Sequence, residues 1–301
     1  LLLAALVLLI ADMVLGYALR GLLPLPRLRG GAAAVVLVCA LVLVSGHGFA
    51  QTVKPPPTGP DAEVIYATQK TRLAYVRTGD ERIDSVSRAG MVGLSQILHK
   101  RTSIEPGAPL AIDIEADEMA YLPLLYWAVS PEQKALSDAA TEKLNQYLKK
   151  GGTILFDTRE RGDFATNSFG RGGRASQRLR MLLSGLDIPS LIPAPRDHVI
   201  TKAFYLLSSF PGRWAGGALW VERRGGNHND GVSSVMIGAN DWAGAWAVDE
   251  FGATMFAVVP GGELQRETAY RFGINWVMYA LTGNYKTDQV HVPAIIERLG
   301  Q

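Results

Sequence analysis

Cysteine is nearly absent. The 301-residue chain carries one, Cys39, which excludes an intrachain disulfide framework, a multi-cysteine metal cluster and a CxxC redox site. Charge of either sign is not in excess: 30 Lys/Arg stand against 28 Asp/Glu. Setting aside Asp12, Arg20, Arg27 and Arg29, the only such charges in residues 1–50, leaves 27 of each sign over residues 51–301. A neutral domain without a basic run has no electrostatic footprint for nucleic acid. Charged residues as a whole are scarce, at 19% against about 25% in ordinary globular chains. Also missing are GxSxG, HExxH, the Walker A pattern and a GxGxxG after a first strand. The usual signatures of a serine-hydrolase elbow, a zinc protease, a P-loop and a dinucleotide fold go with them. No internal repeat is visible.

What is abundant is apolar sequence near the start. Residues 1–19 carry a single charge, and GLLP continues the run past Arg20. A bilayer core needs roughly 20 apolar helical residues, so this stretch is expected to span a membrane. Residues 32–44 have no polar side chain, and SGHGFA extends them to Ala50. Alone, RLRGG followed by that run and Gly48-Phe49-Ala50 reads as a secretory signal with its cleavage site; with the first run before it, a two-helix hairpin is the preferred reading. The arginines at 20–31 between the runs place that loop in the cytoplasm. Either way the remainder is exported. The chain opens on Leu1 rather than Met and is expected to be the C-terminal piece of something longer. Asp12, an intramembrane acid, is read as a helix-packing contact with a proton relay as the alternative. Cys39 behaves as a small hydrophobe.

Residues 51–61, QTVKPPPTGPD, form an extended Pro-rich linker. A domain over 62–285 and a tail over 286–301 follow. Short apolar runs alternate with amphipathic stretches, which predicts an α/β fold with a mostly parallel sheet and helices on both faces. Strands are expected at Leu73–Val76, Leu110–Ile114, Leu122–Val129, Thr153–Phe156 and Ser233–Ile237. Helices are expected at Ser85–Lys100, at Asp138–Lys150 behind an N-cap at Ser137, at Gln177–Leu186 and at Leu264–Leu281. Residues 159–173, rich in Gly, Arg and Asp, read as a long loop.

Open α/β sheets bind ligands outside the carboxyl ends of their strands. Three of the expected strands deliver a carboxylate there: Asp80 after Gly79, Asp157, and Asp241 in the run Asn240-Asp241-Trp242. Asp197-His198 precedes another apolar stretch and is a candidate for the same edge. Paired carboxylates serve as acid and base when their surroundings separate their pKa values, and with a histidine they can hold a divalent cation. The plainer reading of each aspartate is a helix cap or an Asx-turn, and of His198 a satisfied structural imidazole. His228 in GGNHND has no second ligand at fixed spacing. Gly170, Gly172 and Gly173 lack the strand–turn–helix context of an anion-binding loop. Trp214, Trp242 and Trp246 suit a core, with a pocket lining as the alternative.

The ordered segments LAYVRTGD, YLPLLYWA, LSDAATEKLNQYLKKGGTILFD, Asp197-His198 and IGANDWAGAW resemble domain of unknown function 4159, found in bacterial membrane proteins. It often lies downstream of a BatA-type aerotolerance-regulator segment. The resemblance covers roughly residues 62–285 and implies a flavodoxin-like sheet similar to class I glutamine amidotransferases. Those enzymes need a cysteine at a strand–helix elbow, so Cys39 excludes their chemistry here. The family pattern carries over onto Gly79-Asp80, Asp157 and Asn240-Asp241, but its second aspartate after the YLxxGG strand is Thr158. Fold alone leaves function open. The expectation is a membrane-anchored, non-catalytic binding or scaffolding domain, in the bacterial inner membrane with its domain in the periplasm. No cofactor or metal is implied. A strand-end pocket would be formed by Gly79, Asp80, Asp157, Asp197, His198, Asn240, Asp241 and Trp242. Family company implies von Willebrand-type or MoxR-type protein partners and a role in envelope assembly or stress tolerance. The alternative is a carboxylate-dependent hydrolase acting on an envelope substrate.

Overall fold

The computed structural model describes residues 70–160, 173–223 and 232–299, with side chains up to residue 282. The apolar runs with Asp12 and Cys39, the Pro-rich linker, Gly170, Gly172 and His228 lie outside the described residues. Among those described, no helix is long and apolar enough to cross a membrane.

Burial on both faces of the central strands organises the domain. Strands β1 (Ala74–Val76), β3 (Leu124–Ala128), β4 (Thr153–Asp157) and β7 (Val235–Gly238) are buried on both faces, as near-continuous apolar runs in a parallel sheet should be. Because successive side chains point to opposite faces, each strand supplies two cores. Ala74, Leu125, Trp127, Ile154, Phe156, Val235 and Ile237 pack with α2 (Asp138–Lys149) and α3 (Arg174–Leu183). Tyr75, Leu124, Tyr126, Leu155 and Met236 pack with α1 (Glu81–Arg101), α4 (Trp242–Trp246) and α5 (Gly262–Leu299). Helices therefore cover both faces.

The seven strands run in the order β2-β1-β3-β4-β7-β6-β5. The first five, including β2 (Leu110–Ile112), are mutually parallel. Strands β6 (Trp220–Glu222) and β5 (Leu191–Pro193) extend the sheet antiparallel. Neither was expected. Pro193 is tolerated because β5 is an edge.

Against α1, the α4 backbone comes unusually close. A Cβ on Gly90 would stand 2.6 Å from the Ala243 carbonyl, and one on Gly93 would collide with that of Trp246. Two glycines on one helix face thus seat the short helix that follows β7.

Some boundaries differ from expectation. Helix α1 starts at Glu81 rather than Ser85, because Asp80 caps it by accepting from the N–H groups of Arg82 and Ile83. Helix α3 starts at Arg174 rather than Gln177. Its first turn is capped by Glu160, more than ten residues earlier in the chain, whose carboxylate accepts from Gly173 N at 3.1 Å, Ala175 N at 2.8 Å and the Ser176 hydroxyl. The last helix continues to Leu299, beyond the expected end at Leu281 and into the expected tail.

Candidate functional site

Strands β4 and β7 are neighbours, and their carboxyl ends bring Asp157 beside Asn240, Asp241 and Trp242. Asp157 is fully buried. Its Oδ2 accepts from the Tyr126 hydroxyl and the Trp242 N–H, both at 2.8 Å, and its Oδ1 from Arg159 N at 2.9 Å and Asp241 N at 3.2 Å. One carboxylate thus binds β3, β4 and the β7–α4 turn together. Burial, reinforced by the charge of Asp241, pushes its pKa up to about 6 despite four donors that favour the ionised form. The Tyr126 hydroxyl also accepts from Ala243 N at 3.2 Å, and burial pushes its ionisation far upward.

Asp241 holds a left-handed backbone (φ 51°) and caps α4 by accepting from Gly244 N at 3.3 Å. Its Oδ2 lies 3.5 Å from Arg213 Nη1. Burial raises its pKa, and the charges of Arg159 and Arg213 oppose that rise. The Asn240 amide donates to the carbonyls of Phe210 (2.8 Å) and Gly217 (3.1 Å), and the Trp242 indole donates to Phe210 O at 3.0 Å. The segment 210–217 is therefore laced onto the β7–α4 turn, an arrangement continued by Arg213 N to Asp241 O and Trp214 N to Asn240 O.

Gly79 and Asp80 stand at the end of β1, where the sheet order reverses between β2 and β3, the usual ligand crevice of such sheets. Here the chain fills its own turn. The Asp84 carboxylate accepts from Thr78 N (2.9 Å), the Thr78 hydroxyl (2.8 Å) and Gly79 N (3.3 Å), while Asp80 caps α1. The donors an external anion would use already have an internal acceptor. His198 serves a different stretch: its Nδ1 accepts from Ile200 N at 3.2 Å, and its buried ring packs 5.7 Å from that of Tyr279. Asp197 is exposed beside it. Trp242 and Trp246 are core residues, both fully buried against Phe272.

Of the positions expected to share one pocket, Asp157, Asn240, Asp241 and Trp242 come together as a buried brace. Gly79 and Asp80 form a turn of their own. Sequence reading missed Tyr126, Asp84, Arg159 and Arg213. Tyr126 had a signal, since a tyrosine in a strand buried on both faces must find a hydroxyl partner. Asp84 had one as well, four residues after a Thr-Gly-Asp turn. The arginines had none. Among the described residues, no group of three or more His, Cys, Asp or Glu is placed to hold a metal ion.

A family model described as Domain of unknown function (DUF4159) matches residues 72–281. No curated protein matches the chain.

Proposed function

The chain belongs to the DUF4159 family, and from that premise we propose that it is a membrane-anchored, non-catalytic binding or scaffolding domain. It acts on the periplasmic side of the bacterial inner membrane, within an envelope or stress-tolerance assembly that includes von Willebrand-type or MoxR-type companions. Its architecture is flavodoxin-like and related to the class I amidotransferases, a reading supported by the parallel order β2-β1-β3-β4-β7. The two apolar runs with arginines between them support the anchor and its orientation. One observation carries the non-catalytic reading: the carboxylates at the strand ends already serve internal donors, four of them on fully buried Asp157.

A second reading, a carboxylate-dependent hydrolase, is favoured by the juxtaposition of Asp157 and Asp241 and by the upward shift of both pKa values. It requires an open cleft, whereas Asp241 is only 6% exposed and Asp157 not at all.

The test is extraction of the full chain in mild detergent from the membranes of cells that make it, with sizing and mass spectrometry. The expected result is stoichiometric co-elution with companion proteins and no turnover of cell-wall fragments. A chain absent from the membrane fraction or eluting alone overturns the proposal. So does turnover that Asp157→Asn abolishes in a folded protein.

A further inference from the structure

Among the described residues, two other than glycine hold a left-handed backbone, Arg159 (φ 56°) and Asp241 (φ 51°). They sit at the ends of adjacent parallel strands, and one oxygen, Asp157 Oδ1, accepts both of their N–H groups. Strained positions persist only where surrounding structure holds them, and they gather at sites that bind or react.

The side chains add a surplus of donors. Arg159 and Arg213 both act on the Asp241 carboxylate, while the oxygens of Asp157 are taken. The Nε groups of both arginines are buried with no acceptor among the described residues. Buried N–H groups without acceptors are uncommon and call for an explanation. Arg213 is also held in place. Its guanidinium lies 4.7 Å from the Trp214 ring centre and 4.6 Å from that of Phe256, and Asp241 engages Nη1. Its side chain nevertheless remains 30% exposed, against 8% for Asp241. A stacked guanidinium oriented by a buried carboxylate loses little freedom when an oxygen meets the part of it left exposed.

We propose that the carboxyl edge between β4 and β7 is an oxyanion receptor, in which Arg213 and Arg159 take a carboxylate or phosphate group from outside the chain. This rests on the reading of that edge as a binding edge and names the chemistry it recognises. The equivalent turn after β1 cannot serve, because Asp84 occupies its donors.

The experiment is calorimetric titration of the purified full chain with inorganic phosphate and, separately, with succinate, at constant ionic strength. Saturable binding is expected for at least one. Phosphate alone identifies a phosphoryl ligand and succinate alone a carboxylate ligand; each supports the receptor. Arg213→Lys keeps the charge but loses the planar fork, and weakens binding about tenfold or more. Arg159→Gly relieves the backbone and raises Tm while weakening binding by a similar factor. That opposite movement of stability and affinity is what a merely structural arginine would not give. No saturable binding of either anion, or affinities unchanged in Arg159→Gly, overturns the receptor. Should anion binding be absent while companions still co-elute, the oxyanion assignment fails and the binding-domain reading stands.

Discussion

The carboxyl ends of β1 and of the β4–β7 pair solve the same problem with opposite materials. After β1, Asp80 and Asp84 answer backbone donors no more than six residues away, in a turn that is half exposed. After β4, Asp157 answers donors 31, 84 and 85 residues away and is entirely buried. The first arrangement finishes a helix. The second joins β3, β4 and the turn after β7. An aspartate at a strand end is cheap to replace where water can substitute for it and costly where it cannot.

That contrast is sharpened first by Asp157→Ala, expected to lower unfolding free energy by about 4 kcal/mol because buried donors lose their acceptor. Urea unfolding followed by tryptophan fluorescence measures it in the full chain, since all six tryptophans lie between residues 127 and 276. A pH series gives the next effect. Asp157 has its pKa raised from 3.8 to about 6 in the folded state. Its contribution is therefore fully present below pH 3.8 and is lost as pH rises through 6. The parent loses on the order of 3 kcal/mol from this group across that window. Asp157→Asn abolishes this component; a slope that survives in the variant assigns it elsewhere.

Tyr126→Phe should cost about 2 kcal/mol, leaving Ala243 N without its acceptor. It also removes a bond that lowers the Asp157 pKa, so the stability loss moves to higher pH; an unmoved profile would detach Tyr126 from the carboxylate. At the other strand end, Asp80→Ala should cost only about 1 kcal/mol, the usual value of an N-cap, by the same unfolding assay. Equal losses for Asp80→Ala and Asp157→Ala would erase the distinction.

This division also explains what could be read in advance. The apolar runs of β1, β3, β4 and β7 and the helical spacing of α1, α2 and α5 are local patterns. They indicated a mostly parallel α/β sheet with Asp80, Asp157 and Asp241 at its strand ends. Local caps such as Ser137 on α2 were legible for the same reason. The Tyr126–Asp157–Trp242 brace was not, because its partners come from three distant segments. Nor were β5 and β6, which are placed by antiparallel pairing, β6 on β7 and β5 on β6. Glu160 capping α3 and Arg213 stacked on Phe256 belong to the same class of contact, fixed only once the sheet exists.

The most direct test of the central claim, that Asp157 braces the fold rather than performing chemistry, is the unfolding free energy of Asp157→Asn at pH 7. The replacement keeps the shape but turns an amide N–H₂ toward donors that need an oxygen. A loss of about 2 kcal/mol or more relative to the parent is predicted. Unchanged or increased stability, as expected when a strained functional group is removed, would contradict it.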